Sequence, residues 1–174
     1  MASPRDALIV RVGSMLRRAG DQRDEVFDVC LDDLVVLESR VPDDAPIHVE
    51  LRLESLNEGV VVRGSLSFAW NGRCRRCLQS VAGTLHPAVH EIFVRDPVEG
   101  ETRPLAGDQL DLEPVVRDGV LLELPLAPLC RADCAGLCPE CGADGNIAPC
   151  ACSDRETDPR WAGLERLQLD AGND

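Results

Sequence analysis

The sequence predicts an α+β protein: mainly an antiparallel β-sheet or a small barrel, with two short helices and a cysteine-rich C-terminal segment. Three observations predict it. Residues 47–70 alternate between apolar and polar side chains, the pattern of strands that bury one face. Two later segments have apolar residues at helical spacing. Six of the nine cysteines lie between Cys130 and Cys152, in a Gly- and Pro-rich stretch with few apolar side chains.

A β-hairpin is predicted in the first half of the chain. The alternation of residues 47–53 resumes at Val60 and continues to Trp70, after the turn sequence Asn57-Glu58-Gly59. Glycine supplies the positive φ that such turns need. Further short strands are predicted at Leu8 to Val12, Val26 to Leu31, Leu78 to Leu85 and Val89 to Val94. Together they predict an antiparallel sheet or a closed barrel.

The second half is predicted to contain one loop and both helices. Residues 96–108 are acidic and rich in Pro and Gly, which indicates a solvated loop. The first helix is predicted from Leu112 to Leu122, with Asp111 as its N-cap. The second begins at Asp158, because the proline that follows is pre-shaped for a first helical turn. Its apolar stripe, predicted to dock on the core domain, consists of Trp161, Leu164 and Leu167.

Composition limits the classes of protein. With 174 residues and 44% hydrophobic content, the chain suits a β-rich core domain at residues 1–124 and a cysteine-rich tail at residues 125–174, packed on that core. The sequence contains no apolar run long enough to span a bilayer, and its N-terminus is too polar for a signal peptide, so we expect a cytoplasmic protein. The formal charge of −13 argues against nucleic-acid binding by bulk electrostatics.

One segment differs from the acidic remainder. Residues 59–90 contain four arginines and no acidic residue. Two interpretations remain open: Arg73, Arg75 and Arg76 bind RNA phosphate or a partner, or these arginines donate hydrogen bonds to an anionic metal–thiolate cluster.

The cysteines predict zinc, since thiols in the cytoplasm are kept reduced and nine is an odd count. Cys138 and Cys141 have the spacing of a knuckle that places two thiolates about 2.3 Å from one Zn²⁺. Gly142 can adopt the left-handed backbone that such a knuckle needs. A short loop then returns Cys150 and Cys152 to complete a tetrahedron. Such a closed site has no open position for catalysis.

A second knuckle, Cys74-Arg-Arg-Cys77, follows a predicted strand and supplies only two ligands. Cys130 and Cys134 are the available partners for a second site, which would join the tail to the sheet. Mixed pairings between the two groups remain open, so we expect one or two zinc ions. Cys30 lies in an apolar segment and is interpreted as a buried hydrophobic residue.

The motifs, taken in order, resemble the YceD family. They are Cys74-Arg-Arg-Cys77-Leu78, Pro125-Leu-Ala-Pro-Leu-Cys130, Gly136-Leu-Cys138-Pro-Glu-Cys141-Gly142, Cys150-Ala-Cys152 and Asp158-Pro-Arg-Trp-Ala-Gly-Leu164. The resemblance extends from about Val41 to Leu167. It implies a role in large-subunit ribosomal RNA accumulation and thus in assembly of the large ribosomal subunit, without catalytic activity.

The implied partner is a large-subunit precursor, bound through its rRNA, through a basic ribosomal protein or through both, with no membrane and no small-molecule substrate. The residues themselves agree that the chain is not an enzyme, because the sequence contains no zinc-protease motif, phosphate-binding loop or nucleophile elbow. The alternative function is a zinc–thiolate redox sensor that releases its metal on oxidation.

Overall fold

The structure is a computed structural model that describes residues 7–152 and residue 160. The second predicted helix, with Trp161, Leu164 and Leu167, lies outside the described residues. The strands are β1 (Ile9–Arg11), β2 (Gln22–Val29), β3 (Val35–Val36), β4 (Ser39–Arg40), β5 (Ile47–Ser55), β6 (Gly59–Arg73), β7 (Ser80–Leu85), β8 (Ala88–Val94), β9 (Arg103–Pro104) and β10 (Gln109–Asp111). The helices are a 3-10 helix (Met15–Arg17) and α1 (Glu113–Glu123).

The 15-residue strand β6 organises the main sheet. Its first half pairs with β5 and β8, whereas its second half pairs with β4 and β7. Strand β2 extends the sheet beyond β5, and β9 runs parallel to β8 at the other side. The predicted hairpin of residues 47–70 is therefore the pair β5–β6.

The sheet is open, so the barrel alternative of our prediction was wrong. Among the described residues no pairing joins β2 to β8 or β9. Strand β9 is only two residues long and contains Pro104, which lacks the N–H donor that a further strand would need. Strand β2 carries four charged side chains, Arg23, Asp24, Glu25 and Asp28, a feature that discourages further strand addition.

The core lies on one face of this sheet. The four apolar residues of the predicted alternation, Ile47, Val49, Leu51 and Leu53, are at most 3% exposed. Helix α1 covers that face with Val115, Val116 and Val120. A Cβ on Gly119 would lie 3.0 Å from Leu66 Cδ1, so the glycine allows the helix to approach β6 closely.

Several predicted boundaries shift. The N-cap residue of α1 is Leu112, although Asp111 Oδ1 still accepts the N–H of Glu113 at 3.0 Å. The loop predicted at residues 96–108 contains β9. Strand β7 begins at Ser80, because Leu78 has φ 62° and cannot continue a strand. In the described part of the chain, no helix has the length and apolar character needed to cross a membrane.

Candidate metal centres

The turn between β6 and β7 presents the first knuckle. The N–H of Cys74 donates to the carbonyl oxygen of Gln79 at 2.8 Å, and the N–H of Leu78 donates to that of Cys74 at 2.9 Å. Inside this turn the N–H of Arg76 points to Cys74 Sγ at 3.5 Å. Cys74 and Cys77 are both buried, so the sheet edge offers two thiols in a fixed geometry.

The tail after α1 brings two further thiols to this knuckle. The N–H of Arg75 donates to the carbonyl of Pro128 at 2.9 Å, and the N–H of Leu137 donates to the carbonyl of Arg76 at 3.0 Å. Arg76 Nη1 donates to the carbonyl of Cys134 at 2.8 Å. The knuckle and the tail are thus joined by backbone and side-chain hydrogen bonds on both sides of the cysteines.

These four cysteines, Cys74, Cys77, Cys130 and Cys134, form the inner cluster. Their sulfurs all lie within 4.8 Å of one another. The Cys74–Cys134 sulfur distance is 3.8 Å and the Cys77–Cys130 distance is 3.6 Å. Four sulfurs at about 2.3 Å from one tetrahedral ion are about 3.8 Å apart, whereas a disulfide bond is about 2.05 Å long. The geometry fits a single metal ion.

The outer cluster consists of Cys138, Cys141, Cys150 and Cys152, whose sulfurs also lie within 4.8 Å of one another. The N–H of Cys138 donates to the carbonyl of Ala143 at 2.8 Å, and the N–H of Gly142 donates to that of Cys138 at 2.9 Å. Gly142 has φ 72°, the left-handed conformation that was predicted for it. Cys141 and Cys152 are exposed, so this cluster faces solvent.

The thiol pKa values of the inner cluster are spread apart. Burial disfavours the thiolate of Cys74, but the N–H groups of Cys77, Cys130 and Arg76 outweigh it and lower the pKa of Cys74 to about 6. Burial and the neighbouring sulfurs of Cys134, Cys77 and Cys74 raise the pKa of Cys130 to about 12. One thiol ionises readily while its neighbour resists a second negative charge, a set of donors that a cation would complete.

The outer cluster has the same spread. The N–H groups of Cys141 and Glu140 lower the pKa of Cys138 to about 6. The side chain of Cys141 raises the pKa of Cys152 to about 11. Both clusters therefore contain one thiolate available at neutral pH and at least one thiol that needs a cation to ionise.

The predicted arginines have two different roles in the structure. Arg73 and Arg75 are exposed, and neither guanidinium has a hydrogen bond or ion pair within the described residues. Arg76 donates to the carbonyl of Cys134 and, at 3.4 Å, to that of Ala132. Its guanidinium thus holds the tail against the knuckle. Cys30 lies outside both clusters, but it is half-buried, so its interpretation as a buried hydrophobic residue was wrong.

Sequence reasoning missed Asn146, which lies between Cys141 and Cys150. Its Nδ2 donates to Cys134 Sγ of the inner cluster at 3.4 Å. The sequence Asp144-Gly145-Asn146 is typical of a turn and was the available signal. No spacing rule indicates that this turn reaches the other cluster.

The fold and the two clusters define a class of protein: a β-sheet protein whose cysteine-rich tail is attached to the sheet at a four-cysteine site. The sequence model described as "Large ribosomal RNA subunit accumulation protein YceD" matches residues 62–168, a segment that includes both clusters. The chain belongs to the YceD family, which confirms the resemblance.

Individual relatives match most of the length of this chain. An uncharacterized protein of Mycobacterium tuberculosis is 34% identical over 174 residues, covering 96% of this chain and 83% of the relative. A chloroplastic protein of Arabidopsis thaliana, named large ribosomal RNA subunit accumulation protein YCED homolog 1, is 33% identical over 169 residues, covering 73% of this chain and 50% of the relative. No solved structure matches the chain.

Proposed function

We propose that this chain is a non-catalytic ribosome-assembly factor that supports accumulation of large-subunit ribosomal RNA in the cytoplasm. The observation that carries the proposal is the family match over residues 62–168. A relative that covers 73% of this chain has rRNA accumulation in its name. The matched segment contains all but the first three residues of β6, the whole knuckle, and the tail up to residue 168.

Zinc is the metal proposed for both clusters. Four thiolates at tetrahedral spacing favour Zn²⁺ or iron–sulfur chemistry. A site in which four cysteines bind one ion is typical of structural zinc. Such a site has every coordination position filled by protein, so it leaves no position for a catalytic water. The proposed role of the metal is therefore to hold the tail in place.

The proposed contact with rRNA is made by Arg75 and Arg73. Both side chains are exposed, and neither guanidinium has a hydrogen bond or ion pair within the described residues. Arg73 lines a cleft of about 740 Å³ together with Arg40, but the same cleft contains Asp33, Glu38 and Asp43. Arg75 does not line this cleft. We therefore expect Arg75 to make the stronger phosphate contact, since nearby carboxylates weaken the attraction of an anion.

Co-sedimentation with large-subunit precursors tests the function. The Arg73→Ala, Arg75→Ala double variant should leave the precursor fraction at lower salt than the unmodified chain, because phosphate contacts release counterions. The control is Arg17→Ala with Arg18→Ala, which removes equal charge at an exposed site elsewhere. Unchanged sedimentation of the Arg73, Arg75 variant would contradict the proposed rRNA contact. Failure of the unmodified chain to sediment with the precursors would contradict the proposed function.

Elemental analysis with zinc-edge absorption tests the metal. We expect two zinc ions per purified, reduced chain, both with sulfur-only ligation. A metal-free chain whose residues 125–152 remain ordered would contradict the structural role of zinc.

The exposure of the outer cluster favours a second candidate function, a zinc–thiolate redox sensor. Cys141 and Cys152 are exposed, so a peroxide can reach them. Two thiolates and one hydrogen peroxide, with two protons, give one disulfide and two waters, and the two sulfurs joined in the disulfide no longer hold Zn²⁺. This function predicts that peroxide frees zinc and changes partner binding, and that a thiol reductant with added zinc reverses both. Peroxide treatment that frees zinc without changing precursor binding would exclude it.

A further inference from the structure

Asn146 lies in the outer loop but contacts a cysteine of the inner cluster. It belongs by sequence to the loop that closes the outer cluster, between Cys141 and Cys150. Its Nδ2 nevertheless lies 3.4 Å from Cys134 Sγ of the inner cluster. Its Oδ1 accepts the backbone N–H of Ala135 at 2.8 Å and Arg131 Nη2 at 2.7 Å. The side chain thus binds the segment that carries the inner cysteines.

The orientation of this amide is determined by its partners. Its oxygen faces two donors, and its nitrogen faces two acceptors, Cys134 Sγ and Asp144 Oδ1 at 2.6 Å. The reversed amide would place the oxygen against both acceptors. An N–H group therefore points at the Cys134 sulfur. This contact holds the Cys134 sulfur in its position among the inner cysteines.

The outer loop fixes the position of Asn146. The backbone N–H of Asn146 donates to Asp144 Oδ1 at 2.9 Å. The N–H of Gly145 donates to the carbonyl of Gly136 at 2.8 Å, and Leu137 pairs with Asp144 across the loop. Gly136 and Leu137 directly precede Cys138, and Asn146 lies four residues before Cys150. An ion held by the outer cluster would therefore close the loop around Asn146.

From these contacts we propose that the two metal centres are coupled through Asn146: metal in the outer cluster increases the affinity of the inner cluster, and the reverse. This rests on the metal part of the proposed function. The physical cause is preorganisation, since ordering of the outer loop presents the amide N–H to Cys134 before the inner ion binds. Partners of metal ligands typically change metal affinity by about 10- to 100-fold. Reciprocity follows, because coupling between two binding sites is mutual.

Cd²⁺ titration of the full chain tests the coupling. Cadmium NMR separates the signals of two sulfur sites, and competition with a chelator gives the affinity of each. The outer-site variant, Cys141→Ser with Cys152→Ser, removes two exposed ligands and assigns the remaining signal to the inner cluster. We expect the inner-site affinity to fall about tenfold in this variant.

Asn146→Ala is expected to lower the inner-site affinity by the same factor while both ions still bind. Combining it with the outer-site variant should cause no further loss, because both changes remove one interaction. Asn57→Ala, at an exposed asparagine in the β5–β6 turn, is the matched control and should change neither affinity.

The outcomes separate the possible failures. Two ions that bind with an inner-site affinity unchanged in the outer-site variant would overturn the coupling and leave the zinc proposal intact. The role of Asn146 would be overturned if the fold losses of inner-site affinity multiply in the combined variant. It would also be overturned if Asn146→Ala behaves like its control. A chain that binds no metal would overturn both the coupling and the metal part of the proposed function.

Discussion

The inner and outer clusters have the same four ligands but connect very different lengths of chain. The inner cluster joins a knuckle on the sheet to cysteines 53 and 60 residues further along, and three of its four members are buried. The outer cluster takes all its ligands from residues 138–152, and two of them are exposed. One site joins the tail to the core domain, whereas the other orders a short segment within the tail.

This difference determines what each metal contributes to stability. A cross-link that closes a long loop removes more chain entropy from the unfolded state than one that closes a short loop. The partly buried side chains of Leu129 and Val81 also pack against the inner cluster. Loss of the inner ion should therefore destabilise the whole domain, whereas loss of the outer ion should destabilise mainly its own loop.

The largest effect is expected from the inner-site variant, Cys77→Ser with Cys130→Ser. Structural zinc contributes on the order of 10 kcal/mol or more to small zinc domains, and the sheet keeps its own core here. We therefore expect a loss of roughly 5 kcal/mol of unfolding free energy and a fall in Tm of more than about 10 °C. Thermal unfolding and proteolysis of residues 125–152 measure it, with Cys30→Ser as the control. An unchanged Tm would contradict the role of the inner cluster in stabilising the domain.

Acid should release both metals. Neighbouring sulfurs or burial raise the pKa of Cys77 and Cys130 in the inner cluster and of Cys150 and Cys152 in the outer one. These thiols are protonated at pH 7 without metal, so each ion must displace at least two protons. Affinity then falls as the pH falls, by at least about 100-fold per pH unit.

Calorimetry in buffers of different ionisation enthalpy counts these protons, with a pair of titrations for the unmodified chain and the outer-site variant. We expect at least two protons at each site. A count below two would contradict the pKa directions.

A smaller effect is expected from the outer-site variant. It removes a local cross-link and weakens the inner ion only through Asn146, so the loss should be below about 2 kcal/mol, or a few degrees in Tm. Hydrogen exchange should increase mainly at residues 138–152. A loss as large as that of the inner-site variant would show that the outer ion also holds the core.

The same comparison shows what the sequence could predict. The knuckles were predictable because two cysteines three residues apart are constrained by local geometry, and the strands because burial of one face imposes a period of two. The grouping of Cys130 and Cys134 with Cys74 and Cys77 was predicted beside mixed pairings, and the structure brings these four together. The sequence alone could not select it, since the choice depends on where α1 ends relative to the β6–β7 turn. The contact of Asn146 with Cys134 was not predictable for the same reason.

The smallest effect separates two adjacent arginines that the sequence could not distinguish. Arg76 donates to the carbonyls of Cys134 and Ala132, so Arg76→Ala should cost about 1 kcal/mol of unfolding free energy. The guanidinium of Arg75 has no hydrogen bond or ion pair within the described residues, and Arg75→Ala should change the unfolding free energy by less than about 0.5 kcal/mol. Urea unfolding of the two variants measures the difference. A larger loss of unfolding free energy in Arg75→Ala than in Arg76→Ala would mean that Arg75 holds the tail. The Arg75→Ala variant would then no longer test rRNA binding separately from folding.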